Sequence, residues 1–289
     1  MACAPATGWP GSPPVPPPLP LLDHAVIGLG TELDAGEASF RRLGFTLTPR
    51  GYHSLGSMNH LAVFGTDYLE LLAAPADSPR REVVEGPHGL AALVFATRDA
   101  DAAFAALAAA GVPATPPQRF SRPVTVVGET RDAAFRTVRL PADAVPAGRF
   151  YFCEHETPDL VWRDEWRRHP NRVTGIAEAV IAAADPAGLA RLFARLFGAD
   201  MLRLEADGFV LSLGLARCRV IGAAAARARF GAVAPGRADF MAALMLRSAA
   251  LADTSAALTA GGVAAAALPG GGLLVPSAEA CGVALGFVE

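Results

Sequence analysis

The chain has no lysine. All 25 basic residues among its 289 are arginine, which excludes Schiff-base chemistry and any phosphate-binding P-loop lysine. Cysteine is scarce and scattered: Cys3, Cys153, Cys218 and Cys281 form no C-x-x-C pair, so neither a zinc ribbon nor a dithiol redox motif is present. Three of the four lie in apolar strand-like runs, where a free cysteine behaves as a small hydrophobe, and a reducing cytoplasm is the expected location. There is no excess of positive charge either. A net charge of −3 and a pI near 6.1 leave no basic footprint for nucleic acid or an anionic membrane. No apolar run reaches the length of a membrane span without a charge or turn signal. Residues 1–20, MACAPATGWPGSPPVPPPLP, lack the charged start and continuous apolar stretch of a signal peptide, and their prolines forbid a helix. That segment is expected to be an extended, solvated tail. A small-molecule substrate is the partner these exclusions leave, with a homodimer as the one macromolecular association kept open.

What is there is enough apolar material for a large core, 52% of residues against 18% charged, and an internal repeat. Residues 90–112, LAALVFATRDADAAFAALAAAGV, align without a gap to 241–263, MAALMLRSAALADTSAALTAGGV. Both read as an apolar strand, a polar break, an amphipathic helix and a Gly-Val entry into the next strand. Residues 21–45 and 175–198 open with the same grammar, the latter with Asp185-Pro186 as N-cap and first helical residue. Strand-like stretches follow at 58–64 and 67–73, 134–140 and 149–154, 208–213 and 216–222, and 272–276 and 281–288. The pattern predicts an α+β fold of four βαβββ modules. Paired, they make two domains, 21–157 and 172–289, joined by a connector at 158–171 that is rich in charge and tryptophan. Each domain is expected to be a cupped antiparallel sheet with helices outside, and the second to have its own core and fold alone.

The segment NHLAVFGTDYLELL (59–72) is almost wholly apolar, yet it carries His60 and Glu70. A carboxylate on a buried strand must be paired, hydrogen-bonded or bound to a cation, so Glu70 either faces water or has a function. Together with LDHAVIGL (22–29), LGFTLTPRGYHSLGSMNHLAVFGTDYLELL (43–72) and FCEHETPDLVWRDEWRRHPN (152–171), it resembles the vicinal oxygen chelate superfamily, in particular its glyoxalase-like domain branch. That resemblance implies paired βαβββ modules around a cavity, with a divalent metal held by side chains of first and last strands. His24 and Glu70 align with those ligand positions, which suits zinc, iron, manganese or nickel. It further implies isomerase, lyase or dioxygenase chemistry on a small oxygenated compound, with Glu70 as the catalytic carboxylate. The alternative is a metal-free cup that sequesters a small molecule, as resistance-type relatives do.

The departures from that pattern bear on the choice. In the second module Ala91 and Phe152 fall at the ligand positions, with Glu154 or His155 able to lean in if the strand register differs. In the second half Glu178 matches His24, but Gly286 and Ala242 occupy the other positions, so no metal site is expected there. His53, on a Gly-flanked loop, is a candidate substrate contact or a plain exposed histidine. Asn59 and His60 either line the cavity or hydrogen-bond the loop that begins at Gly51. Arg119, Arg122 and Arg136 could meet a substrate carboxylate bidentately, or be solvated. The cluster of Trp162, Trp166 and His169 is expected to pack between the halves, and Cys153 has no base beside it that would make it a nucleophile.

Overall fold

The structure is a computed structural model and describes residues 20–234 and 236–289. The tail expectation for 1–20 therefore lies, apart from Pro20, outside the described residues. The first module runs β1 (Leu22–Gly28), α1 (Leu33–Arg42), β2 (Gly51–Tyr52), β3 (Met58–Val63) and β4 (Tyr68–Ala73). After a short helix α2 (Arg81–Val84), the second runs β5 (Gly89–Ala96), α3 (Ala100–Ala109), β6 (Gln118–Val126), β7 (Glu129–Arg139) and β8 (Arg149–His155). The third comprises β9 (Val173–Ala183), α4 (Pro186–Phe197), β10 (Leu202–Glu205), β11 (Gly208–Leu213) and β12 (Ala216–Gly222), and is followed by α5 (Ala223–Phe230). The fourth comprises β13 (Phe240–Ser248), α6 (Leu251–Ala260), β14 (Ala266–Ala267), β15 (Leu273–Val275) and β16 (Ala284–Val288).

The strands form two eight-stranded sheets, β2-β3-β4-β1-β5-β8-β7-β6 and β10-β11-β12-β9-β13-β16-β15-β14. Modules pair within each half through their first strands, β1 with β5 and β9 with β13, and these central pairings are antiparallel. The sheets are mixed rather than antiparallel throughout. In every module the last strand returns beside the first and runs parallel to it, as β4 does to β1. The central strands are buried on both faces, and this produces the long apolar runs in the sequence. Along β1 and β5, Val26, Ala92 and Val94 face the cup, while Ala25, Ile27, Leu93 and Phe95 face the helices.

Local signals explain most elements. Asp185 caps α4 by accepting from Gly188 N, and Asp99 caps α3 by accepting from Ala102 N. The β6–β7 hairpin is longer than the pattern suggests; its two-residue turn is Val127-Gly128, at φ 49° and 83°, with valine at the position where asparagine or aspartate is customary. At the far ends of the first sheet Ser54 N donates to Ser121 O over 2.8 Å, which brings β2 toward β6 and almost closes the sheet into a barrel.

The halves share one apolar interior. Phe95 packs against Phe197 at 4.9 Å and Phe150 against Phe193 at 5.3 Å between ring centres. α6 approaches α1 so closely that a Cβ at Gly261 would lie 1.8 Å from the Arg42 carbonyl oxygen. Asn171 Nδ2 donates to Leu43 O, and Ile176 N donates to Asp67 Oδ1, both over 2.9 Å. The second cup is filled: Ala226 and Phe230 of α5 pack on Val180, Ala182, Ile221 and Phe240. Glu178 is buried and paired with Arg217 and Arg219. Met245 covers Gly286, where a Cβ would meet its Cε at 2.1 Å.

Two outcomes follow. The fragment 172–289, expressed alone, exposes Phe193 and Phe197, so it is expected to bind a hydrophobic dye and lack the sharp melt of the whole chain; a cooperative melt without dye binding would show that its own core suffices. Burial raises the Asp67 carboxyl to about 6, against the lowering pull of Ile176 N and Arg247. As pH rises the unfolded carboxyl, near 3.9, ionises first, so Asp67 lowers stability between about pH 4 and 6 and keeps that penalty above. Asp67→Asn should therefore raise stability by about 2 kcal/mol at pH 7.5 and by nearly nothing at pH 4, as read from urea melts at the two pH values.

Candidate active site

A bulge in β1 builds the site. The pairing with β5 steps from Leu22↔Phe95 to His24↔Val94, so Asp23 is an extra residue and its side chain reaches the same side as that of His24. His24 Nδ1 lies 2.5 Å from Asp23 Oδ1, and His155 Nε2 lies 3.0 Å from the same oxygen. Asp23 is 3% exposed; burial alone would raise its carboxyl, but the imidazoles of His155 and His24 hold it well below the usual range. The His24 ring stacks on Tyr68 at 4.3 Å, which fixes its plane.

With Nδ1 committed to Asp23, His24 presents Nε2 to the cup, 3.7 Å from Glu70 Oε2. Glu70 comes from β4, directly opposite Val26 on β1 and Leu61 on β3. Its other oxygen, Oε1, accepts from Asn59 Nδ2 at 2.7 Å and lies 3.9 Å from His53 Nε2. His53 Nδ1 is 2.8 Å from Ser57 Oγ and its Nε2 3.1 Å from Asn59 Nδ2, so the amide proton points at a ring nitrogen that carries a lone pair. Burial pushes the His53 imidazole down to about 4, with Glu70 opposing and Arg122, Arg80 and Arg139 assisting; the ring is neutral at neutral pH. Burial would likewise raise Glu70, but His24, His53, Asn59 and Arg122 together hold it below its ordinary value. The carboxylate stays charged between two imidazoles whose outer nitrogens are both anchored.

Around this centre lies a narrow cavity of about 40 Å³, walled on its apolar side by Leu61, Leu72, Phe120 and Phe135. A Cβ at Gly51 would sit 2.4 Å from Asn59 Oδ1 and 2.8 Å from Arg122 Cδ, so glycine is what lets these two side chains pass the loop. Burial drives the Cys153 thiol well above its ordinary value and raises the Tyr151 phenol, leaving both uncharged.

The structure sorts the sequence candidates by face. His24, His53, Asn59 and Glu70 come together. His60, next to Asn59 on β3, points the other way, where Nδ1 is 2.8 Å from Thr48 O and Nε2 3.1 Å from Glu37 Oε2. Glu154 also faces the helices; its Oε2 accepts from Ala100 N at 2.9 Å and pairs with Arg136. His155 lies at the base of the cup and acts on Asp23. In the second module the residues facing the cup are Ala92 and Tyr151, not Ala91 and Phe152, which is the one-residue change of register that reverses a strand's faces. Of the arginines, Arg119 and Arg136 are paired with Glu156 and Asp101 outside the cup, and Arg122 is buried inside it. Trp162 does not bridge the halves; it packs at 4.6 Å from His155 and 5.9 Å from Tyr68, under the cup. His169 ties the connector to the first module through Thr46 N and Val63 O.

Asp23 is the residue sequence reasoning missed, because adjacent strand residues normally point to opposite faces and a bulge leaves no local sequence mark. Asp23, Cys153 and His155 also bring three donor atoms within 4.8 Å of one another. In that second set the carboxylate is already engaged by two histidines and the sulfur is a protonated thiol.

The family described as Glyoxalase-like domain matches residues 22–197. No protein of curated function matches the sequence. Among solved structures, a hypothetical protein from Staphylococcus aureus superposes with TM-score 0.64 at 15% identity, over 92% of this chain and 98% of that one. A mutant of 4-hydroxymandelate synthase from Streptomyces coelicolor gives 0.57 at 14% identity, over 94% and 92%. A fusion of a xylose isomerase-like TIM barrel with a 4-hydroxyphenylpyruvate dioxygenase gives 0.56 at 14%, over 96% of this chain and half of the fusion. At these identities the likeness is one of fold.

Removing Asp23 leaves two buried imidazoles without their acceptor. Asp23→Ala is expected to lose about 3 kcal/mol in urea unfolding, and His155→Ala, which strands one partner fewer, clearly less; equal losses would mean that Asp23 does not organise both rings.

Proposed function

Because the chain belongs to the glyoxalase-like domain family of the vicinal oxygen chelate superfamily, we propose that its first cup is a metal-dependent active site for a small oxygenated compound, with His24 and Glu70 as ligands and His53 beside them as a substrate contact. The observation that carries this reading is the pair of facing acceptors. With Nδ1 held by Asp23, His24 Nε2 stands 3.7 Å from Glu70 Oε2 in a buried gap, a nitrogen and a carboxylate that a cation could bind together. The donors, an imidazole and a carboxylate, suit iron, zinc, manganese or nickel. Such an ion would act as a Lewis acid on vicinal oxygens of the substrate, or activate dioxygen if it is iron.

The surrounding residues have definite roles in this reading. Asp23 holds His24 in the tautomer that leaves Nε2 free. Asn59 fixes Glu70 and His53 relative to each other through one amide. Glu70, kept below its ordinary titration range, serves as a ligand first and as a weak base only second. Leu61, Leu72, Phe120 and Phe135 exclude water from the reacting end.

One observation favours the other reading, a metal-free binding protein: Ala92 and Tyr151 stand where a second module could supply further ligands. A single experiment separates the two. Metal analysis of the purified protein should find close to one divalent ion per chain, falling below a tenth in His24→Ala and Glu70→Ala but persisting in Cys153→Ala. A chelator should lower the wild-type melting temperature by about 5 °C, as expected for loss of a ligand present at some hundred times its Kd, and leave Glu70→Ala unchanged. No metal above the level of the double mutant would leave the binding reading.

A further inference from the structure

The cavity holds more positive charge than its own residues neutralise. Arg80, Arg122, Arg139 and Arg149 all line it. Arg80 is paired, its Nε donating to Glu82 Oε1 at 2.6 Å. Among the described residues the side chains of the other three make no hydrogen bond and no ion pair. Arg122 is 3% exposed with Nη2 buried and unpartnered, and Arg139 has its Nε buried and unpartnered. Arg139 lies over the Tyr151 ring at 5.1 Å, and its charged neighbours besides Glu82 are Arg80 and Arg149.

Arg139 and Arg149, gathered with Arg80 in one end of a partly closed cavity, oppose folding unless something answers them, because a buried guanidinium without a partner loses its hydration for no return. The apolar interior does not require them: the core on the helix face of the same strands is made of leucine and phenylalanine alone at Leu93, Phe95, Phe150 and Phe152. Guanidinium is also the one cation that cannot escape by deprotonation, and its planar fork matches the two oxygens of a carboxylate or phosphate. Glu70 satisfies part of the field of Arg122. For Arg139 and Arg149 the one carboxylate whose field reaches them is Glu82, which is already hydrogen-bonded to Arg80.

We propose that Arg139 and Arg149, with Arg80 beside them, form an oxyanion receptor, so that the ligand of this cup is a small organic acid. Its carboxylate or phosphate lies at these guanidiniums, its apolar body against Phe120 and Phe135, and its remaining oxygens toward Arg122 and the His24–Glu70 pair. The placement of that last end rests on the metal-site reading above; the receptor itself does not.

The test uses three aromatic probes on the whole chain: benzoate, phenyl phosphate and the neutral benzamide. At low salt, calorimetric titration of wild type should show at least one of the two acids binding tenfold or more tightly than benzamide, with benzoate ahead if the receptor is built for carboxylate and phenyl phosphate ahead if for phosphate. Arg139→Gln and Arg149→Gln should each weaken that acid at least fivefold, while Arg131→Gln, an exposed residue paired with Asp159, should not. Benzamide binding as tightly as both acids would overturn the proposal, and so would a double variant at 139 and 149 that binds the acid as wild type does. Should those variants fail to fold, the acid-to-amide comparison on wild type decides alone. The same titration on Glu70→Ala keeps the two readings apart: acid binding retained there, with no metal found in wild type, would sink the metal site and leave the receptor standing.

Discussion

One carboxylate oxygen organises the first cup. Asp23 Oδ1 is shared by His24 and His155, and everything above it follows from that double bond. The ring of His24 is turned so that its far nitrogen faces Glu70, and His155 is drawn onto Trp162, which seats the connector under the cup. The bond is possible only because β1 carries a bulge at that residue. A regular strand would have sent Asp23 into the helix-facing core, where Ala25 and Ile27 lie, and an unpaired carboxylate there would have been costly.

Electrostatics then divides the cup into two regions. Around Glu70 the charges balance: a buried carboxylate sits among two imidazoles, an amide and one guanidinium. Toward Arg139 and Arg149 they do not balance, and the deficit is negative charge. The absence of lysine sharpens this contrast, since every cation in the cavity keeps its proton at any pH the fold survives.

The fold was legible because its evidence is repetitive. Four copies of strand, helix and strands leave a pattern that survives local error, and the apolar runs of β1, β5, β9 and β13 state that these strands are covered on both faces. The site was legible only where a residue type was out of place: His24 and Glu70 stood out against apolar neighbours. His60 stood out equally and faces away, since one step along a strand is invisible to composition. The long β6–β7 hairpin was half seen, because its strands alternate with arginine, threonine and aspartate and its turn places valine before the glycine. Arg139 and Arg149, arginines in a chain of arginines, had no contrast to reveal them. The independent folding expected of 172–289 turns on Phe193 and Phe197, which pack on Phe150 and Phe95 of the first half and, through Phe193, on Phe209 of their own.

The filled second cup has a consequence of another kind. By inserting one short helix after the third module and a methionine over Gly286, the chain has turned the second of two vessels into a buttress. It braces the first through Ile176 and Asp67, the residue just before the strand that carries Glu70. Four modules of one shape thus bear unequal duties. If the first cup is the site proposed above, a substitution in β11 or β13 registers as a change in how long the molecule lasts, while one facing that cup from β3 or β7 registers as a change in what it recognises.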